Sequence, residues 1–127
     1  MSPPRVLVVE DDPSVRGLLH TLLSAEGYDV TTASDGSAGL SKAGALQPAV
    51  ILLDLVMPDL GGVRVLQELR RDPALAATPV IVVSGVDDLE AARCLVGTES
   101  VFEKPFEVLE LLDRIGAVTG GPGRGLA

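Results

Sequence analysis

Hydrophobic residues occur in short continuous runs, separated by longer segments in which apolar and polar positions are mixed. The runs at residues 6–9, 49–53 and 80–83 are apolar throughout and contain many β-branched side chains. Runs of this kind, bounded by acids, glycine or proline, are typical of strands that are buried on both faces of a parallel sheet. The segments between them place leucine and valine at helical spacing. The pattern therefore predicts strands that alternate with helices around a parallel sheet.

The same pattern gives approximate bounds for five strands and five helices. The predicted strands cover residues 5–9, 29–32, 49–53 and 80–83 and a short stretch around Val101 and Phe102. The predicted helices run from the N-cap Asp12 to Gly27, from Asp35-Gly36 to Pro48, from Gly61-Gly62 to the residue before Pro73, over 87–95 and over 107–118. The inward face of the first helix is predicted to consist of Val15, Leu18, Leu19, Leu22 and Leu23. Such an order predicts a three-layer α/β sandwich, although periodicity does not give the strand order.

Length and composition narrow the class of protein. A chain of 127 residues is long enough for one domain with its own core. No apolar run approaches the roughly 20 residues that a membrane span needs, and the first residues lack the apolar stretch of a secretory signal. The single cysteine, Cys94, excludes an internal disulfide and fits a reducing cytoplasm. We expect a domain over residues 1–118 and a flexible glycine-rich tail over 119–127.

The charge balance argues against one class of partner. The net charge is -8, and only three aromatic residues are present. Nucleic-acid binding needs clustered lysine and arginine to neutralise phosphates. We therefore expect no nucleic-acid surface on this domain and no membrane partner.

Acids follow two of the predicted strands at the point where each strand ends. Glu10 and Asp11 come directly after the first strand, and Asp54 comes directly after the third. Ligand chemistry in open parallel sheets lies outside the carboxyl ends of the strands. If the two strands are neighbours, three carboxylates converge there, and each like-charge pair at roughly 5 Å costs on the order of 3 kcal/mol. Such a cluster predicts a divalent cation that neutralises it.

Two more polar motifs follow strands at the same edge of the sheet. Ser84 comes after the fourth strand and Lys104 after the fifth. Taken singly, each of these residues reads as a turn hydroxyl or a solvated lysine, and Asp12 reads as a helix cap. Their joint placement with the acids favours a functional site. His20 and Cys94 are interpreted as a surface residue and a packing residue.

Four motifs in this order resemble the receiver domain of bacterial response regulators over residues 5–118. They are Val-Val-Glu-Asp-Asp-Pro at 8–13, Asp-Leu-Val-Met-Pro-Asp-Leu-Gly-Gly at 54–62, Val-Ser-Gly at 83–85 and Lys-Pro-Phe at 104–106. The resemblance implies a flavodoxin-like α/β/α sandwich whose five parallel strands have the order 2-1-3-4-5. That order places the first and third strands side by side.

The resemblance also implies a role for each residue of the site. By this resemblance, Asp54 accepts a phosphoryl group from a histidine kinase or a histidine phosphotransfer protein. Asp11 coordinates Mg²⁺ directly, Glu10 coordinates it through water, and Val56 contributes its backbone carbonyl as a ligand. Ser84 supplies the switch hydroxyl, and Lys104 pairs with the phosphoryl oxygens. The resemblance implies a signalling domain rather than an enzyme, with an unknown output partner and a phosphorylation-dependent homodimer as one mode of output. It further predicts a cis peptide bond between Lys104 and Pro105.

Three valines depart from the family pattern. Val101 stands where the family often has an aromatic ring that moves during switching, which makes transmission through the fifth strand less certain than phosphorylation. Val56 and Val86 replace polar side chains near the expected path of the hydrolytic water, which predicts slow self-dephosphorylation. Two other functions stay open at this point. An aspartyl-phosphate phosphatase would need a second aspartate at position 56, and a phosphorylation-independent binding module would not use the site at all.

Overall fold

The structure, a computed structural model, describes residues 3–57, 59–85, 93, 96 and 100–121. The described strands are Arg5–Val9 (β1), Asp29–Ala33 (β2), Val50–Leu53 (β3), Val80–Ser84 (β4) and Val101–Glu103 (β5). The described helices are Pro13–Ala25 (α1), Gly36–Leu46 (α2), Gly62–Arg71 (α3) and Val108–Thr119 (α4). These bounds confirm the predicted alternation of strands and helices within a residue or two at most ends.

The five strands form one parallel sheet with the order β2-β1-β3-β4-β5. The predicted fold class and strand order are therefore confirmed. In the pairing of β1 with β3, Val9 lies opposite Leu53. The residues that follow them, Glu10 and Asp54, consequently leave the sheet side by side at the same edge.

Each face of the sheet has its own hydrophobic core, as alternation along a strand requires. On the face covered by α2 and α3, the buried residues include Leu7, Val9, Ile51, Leu53, Val65, Leu66 and Leu69. On the face covered by α1 and α4, they include Val6, Val8, Leu19, Leu23, Leu111 and Ile115. Full burial of one such side chain contributes about 1.5–3 kcal/mol. The two cores together hold the strand ends that carry the polar residues.

The ends of α1 lie where the sequence predicts them, but one residue of the predicted inward face is exposed. The Asp12 side chain accepts hydrogen bonds from the backbone N–H groups of Ser14 and Val15, which confirms it as the N-cap. Gly27 follows the helix with a φ of 100°. The prediction that Leu18 faces inward was wrong, because 51% of it is exposed. At 100° per residue, Leu18 lies roughly 100° from the centre of the buried stripe, on the flank of the helix.

Two predicted segments fall mainly on residues for which the structure gives no description. The predicted helix over 87–95 lies outside the described residues except for Arg93, and the predicted tail over 119–127 lies outside them beyond Gly121. Both therefore stay predictions. In the described part of the chain, no helix has the length and apolar character needed to cross a bilayer.

Candidate functional site

The carboxyl edge of the sheet brings together the polar residues that the sequence singled out. Glu10 and Asp54 are buried there, Ser84 is fully buried, and Asp11 is exposed. A shallow cavity of about 340 Å³ opens to solvent above them. The residues that line it are Glu10, Asp11, Asp12, Asp54, Val56, Gly85 and Lys104. The expected convergence of three carboxylates, a hydroxyl and a lysine is therefore present.

Both carboxylate oxygens of Asp54 accept hydrogen bonds. Its Oδ1 accepts from Ser84 Oγ at 3.0 Å and from the backbone N–H of Val56 at 3.1 Å. Its Oδ2 accepts from Lys104 Nζ at 3.2 Å. The side chain is consequently held in one orientation at the floor of the cavity.

Lys104 bridges two of the three acids. Its Nζ lies 2.7 Å from Glu10 Oε1 and 3.2 Å from Asp54 Oδ2. The other oxygen of Glu10 accepts a hydrogen bond of 3.2 Å from the backbone N–H of Asp12. The repulsion expected among the acids is thus partly offset by a cation that belongs to the chain itself.

The two buried acids have pKa values shifted in opposite directions. Burial raises the pKa of Glu10 to about 7, the shared hydrogen bond and the charge of Asp54 add to the increase, and Lys104 opposes it. Burial also acts to raise the pKa of Asp54, but hydrogen bonds from Glu10, Val56 and Ser84 and the charge of Lys104 outweigh it and lower that pKa. Desolvation acts to lower the pKa of Lys104, and its two carboxylate partners raise it overall. These opposite shifts favour the ionised form of Asp54 and make Glu10 take up a proton more readily than a free glutamate does.

The donor set fits a hard divalent cation. One carboxylate oxygen each from Glu10, Asp11 and Asp54 lie within 4.8 Å of one another. Mg²⁺ binds oxygen ligands at about 2.0–2.1 Å, so oxygens on opposite sides of one ion lie about 4 Å apart. The three oxygens, which lie within 4.8 Å of one another, are close to the spacing that one such ion requires. The residues present are therefore compatible with the predicted magnesium site.

Two side chains to which the sequence analysis assigned no role hold the loops that carry the acids. Arg16 donates from one guanidinium nitrogen to the backbone carbonyls of Glu10 at 3.0 Å and Asp11 at 3.2 Å. Asp59 accepts hydrogen bonds from the first residues of α2. Neither contact has a local sequence signal, except that Arg16 lies one turn after the predicted helix cap.

The fifth strand confirms two smaller expectations. Lys104 and Pro105 are joined by a cis peptide bond. Val101 packs against the core under α2 and α3, whereas Phe102 packs against the core under α1 and α4. Phe102 therefore points to the opposite face and does not take the place of the missing ring. The effect of Val101 on switching stays a prediction.

The sequence matches the family model of the response regulator receiver domain over residues 6–116. The chain belongs to the response regulator receiver family. Receiver domains are signalling domains of two-component systems, and the fold, the acidic cluster and the lysine at the sheet edge all agree with this assignment.

Individual relatives support the same conclusion. The chain is 38% identical over 117 residues to the DNA-binding dual master transcriptional regulator RpaA of Synechocystis, covering 91% of this chain and 48% of RpaA. It is 36% identical over 115 residues to protein PilG of Pseudomonas aeruginosa, covering 89% of this chain and 85% of PilG. The receiver domain of the Francisella response regulator 1452 superposes with a TM-score of 0.82 at 30% identity, covering 92% of this chain and 97% of that domain. The chain thus spans about half the length of RpaA and similar transcriptional regulators.

Proposed function

We propose that Asp54 accepts a phosphoryl group from the phosphohistidine of a sensor histidine kinase or a histidine phosphotransfer protein, in a step that depends on Mg²⁺. One observation carries the proposal. Asp54 is a buried carboxylate held by Ser84, Val56 and Lys104 at the floor of an open cavity, with two further acids beside it. An ionised, oriented carboxylate is the form that acts as a nucleophile.

In the transfer, a bond forms between phosphorus and an Asp54 carboxylate oxygen while the bond between phosphorus and the donor imidazole nitrogen breaks. The departing nitrogen keeps the electron pair of the broken bond and takes up a proton from solvent. The lowered pKa of Asp54 keeps its carboxylate ionised and ready to attack at neutral pH. No covalent step other than this exchange is required, so the domain contributes mainly orientation and charge.

The metal would be held by the carboxylates of Glu10, Asp11 and Asp54 together with the backbone carbonyl of Val56. When bound, Mg²⁺ supplies positive charge that lets an anionic phosphate approach an anionic nucleophile. Lys104 and Ser84 already donate to Asp54, and we expect both to donate to the new phosphoryl oxygens after transfer. That change of partner is the event that an output partner would read.

Two alternative functions have weaker support. A phosphatase of the aspartyl-phosphate type needs a general acid two residues after the nucleophile, and the chain has Val56 there, half exposed and apolar. A phosphorylation-independent module would not need the site. In this chain Glu10, Asp11, Asp54, Ser84 and Lys104 are all present and in contact range.

The decisive experiment is intact-mass labelling with acetyl phosphate or a phosphohistidine donor, with and without Mg²⁺. The wild-type domain should gain one phosphoryl mass only with the metal, and Asp54→Asn should gain none. Asp72→Asn is the matched control, because this aspartate is exposed, does not line the cavity, and its carboxylate accepts from the backbone N–H of Ala74. Labelling of Asp54→Asn at the wild-type level would contradict the assignment, rapid turnover without accumulation would favour a phosphatase, and no labelling of the wild type would favour the binding module.

The wider setting is also part of the proposal. We place the domain in the cytoplasm, where kinases form phosphohistidine from ATP and where a lone cysteine stays reduced. Residues 1–118 act as the receiver domain. Phosphorylation-dependent homodimerisation is one way in which the domain would pass on its signal.

A further inference from the structure

The loop after β3, residues 54–61, carries both the acceptor Asp54 and the backbone carbonyl of Val56. It is described except for residue 58. At its start, the backbone N–H of Val56 donates to Asp54 Oδ1 at 3.1 Å. At its end, the backbone N–H of Gly62 donates to the Leu55 carbonyl at 2.8 Å. A Cβ added at Gly62 would overlap Leu55 Cα and the Asp54 carbonyl oxygen, so the end of the loop is packed against its beginning.

Asp59 ties the middle of this loop to a different element. Its Oδ1 accepts from the backbone N–H of Gly36 and its Oδ2 from that of Ser37, both at 2.9 Å. These are the first two residues of α2, whose N–H groups have no partner inside the helix. The carboxylate also interacts favourably with the positive end of the helix dipole. Hydrogen bonds, those from Ser37 first, hold the pKa of Asp59 well below its usual range, so the tether is ionised at neutral pH.

The first residue of α2, beside the Asp59 contact, is closely packed. A Cβ added at Gly36 would lie 2.8 Å from Val65 Cγ2 and 3.0 Å from Leu60 Cβ. The first residue of α2 therefore packs directly against the loop and against α3. The N-terminus of α2 serves as a rigid support for the loop.

We propose that Asp59 is a positioning residue for the metal site, because it fixes the loop that carries Val56 against the N-terminus of α2. Val56 lies between two fixed points, the end of β3 at Leu53 and the tether at Asp59. Its carbonyl is therefore held in place before the metal arrives, and its N–H is held on Asp54. The inference rests on the proposed function, in which the Val56 carbonyl is a Mg²⁺ ligand.

The chain contains a matched control for this role. Asp35 is the N-cap of the same helix and accepts from the backbone N–H of Ala38 at 2.8 Å. Asp35→Ala and Asp59→Ala thus each remove an aspartate from the N-terminus of α2, but only Asp59 belongs to the loop after β3. Loss of helix stability alone would affect both variants alike.

The test is calorimetric titration of MgCl₂ into the metal-free wild type and each variant, together with amide hydrogen exchange without metal. Asp59→Ala should weaken Mg²⁺ binding about tenfold, the lower end of the effect of groups that orient metal ligands. Asp35→Ala should change it less than about twofold. The amides of Val56 and Gly62 should lose protection only in Asp59→Ala. Asp59→Asn, which keeps one acceptor oxygen, should be intermediate and serves if the alanine variant does not fold.

The outcomes separate the two proposals. Equal Mg²⁺ affinity in Asp59→Ala and wild type, or equal weakening in Asp59→Ala and Asp35→Ala, would overturn the positioning role while leaving the proposed function intact. A wild-type domain that takes up no Mg²⁺ and no phosphoryl group would overturn both.

Discussion

The two edges of the sheet are formed by the same strands but differ in the interactions that stabilise them. At the amino edge, chain segments join through backbone hydrogen bonds, from Asp29 N–H to the Pro4 carbonyl at 3.0 Å and from Ile51 N–H to the Pro79 carbonyl at 3.0 Å. At the carboxyl edge, Glu10 and Asp54 are buried acids that depend on side-chain partners. Backbone bonds extend the sheet, whereas buried charges are costly unless they are paired. Buried charges that share partners and have shifted pKa values, like those at the carboxyl edge, are typical of functional sites.

One cation from each edge shows the same difference, because the two bind different kinds of group. Lys104 contacts the carboxylates of Glu10 and Asp54. Arg70 donates to the backbone carbonyls of Ala76 at 3.1 Å and Thr78 at 2.9 Å, just before β4. Lys104 pairs with carboxylates at the position where the phosphoryl group would bind, whereas Arg70 stabilises a turn. Substitution of Lys104 should therefore affect both labelling and stability, whereas substitution of Arg70 should affect stability alone.

The largest effect is expected from Lys104→Met. Loss of this cation removes a charge from the phosphoryl oxygens and should slow labelling by acetyl phosphate on the order of 10²-fold. The metal-free variant should also melt at a lower temperature, because Glu10 and Asp54 lose their shared partner. Arg70→Met should lower the melting temperature but leave the labelling rate within about twofold. The measurements are an intact-mass time course and thermal unfolding. Equal loss of labelling in both variants would remove the functional distinction between the two edges.

The next effect concerns the pH dependence of stability without metal. The pKa of Glu10 is raised to about 7 from an ordinary 4.5, so the folded state retains a proton that the unfolded chain has already released. The stability that this proton contributes is fully present below about pH 4.5 and is lost as the pH rises through about 7. Glu10→Gln stays neutral, so denaturant titrations between about pH 5 and pH 8 should show it losing less stability than wild type, by up to about 3 kcal/mol. Parallel profiles for Glu10→Gln and wild type would show that Glu10 holds no proton near neutral pH.

A smaller effect is expected when Mg²⁺ is added. Binding to the folded state alone stabilises it by about 1.4 kcal/mol at a Mg²⁺ concentration ten times Kd. Asp11→Ala should lose most of the rise in melting temperature, because Asp11 supplies one of three clustered oxygens. Asp72→Ala should keep the full rise. A melting temperature that does not respond to Mg²⁺ in the wild type would contradict the metal site.

The smallest effect is expected at an exposed hydrophobic residue. Val56 is 51% exposed beside the cavity and offers no hydrogen bond to a hydrolytic water. Val56→Asn should therefore shorten the half-life of the phosphorylated domain several-fold, measured as decay of the labelled mass. Leu109→Asn, at a residue that is 76% exposed on α4, should leave the half-life unchanged. Val86, the other valine expected to slow hydrolysis, lies outside the described residues.

Local features of the sequence were sufficient for much of the fold and for the members of the site. The apolar runs predicted the strands, and Asp12 predicted the start of α1, because burial on both faces and helix capping act over a few residues. The polar residues at strand ends were identified for the same reason. Their assigned roles came from the family resemblance. The exposure of Leu18 was missed because the width of a buried stripe depends on what packs against the helix.

The sequence by itself determined which residues end the strands, since strand length and the acids that follow are read in order along the chain. Only the tertiary structure decided which of those residues meet. Lys104 bonds Glu10 across 94 positions and Asp54 across 50, and Asp59 reaches α2 across 22 and 23. No local propensity acts over such separations. These contacts exist because β1 and β3 pair in parallel and α2 packs against the loop after β3. Polar groups that are distant in sequence are thereby brought within hydrogen-bond distance of one another.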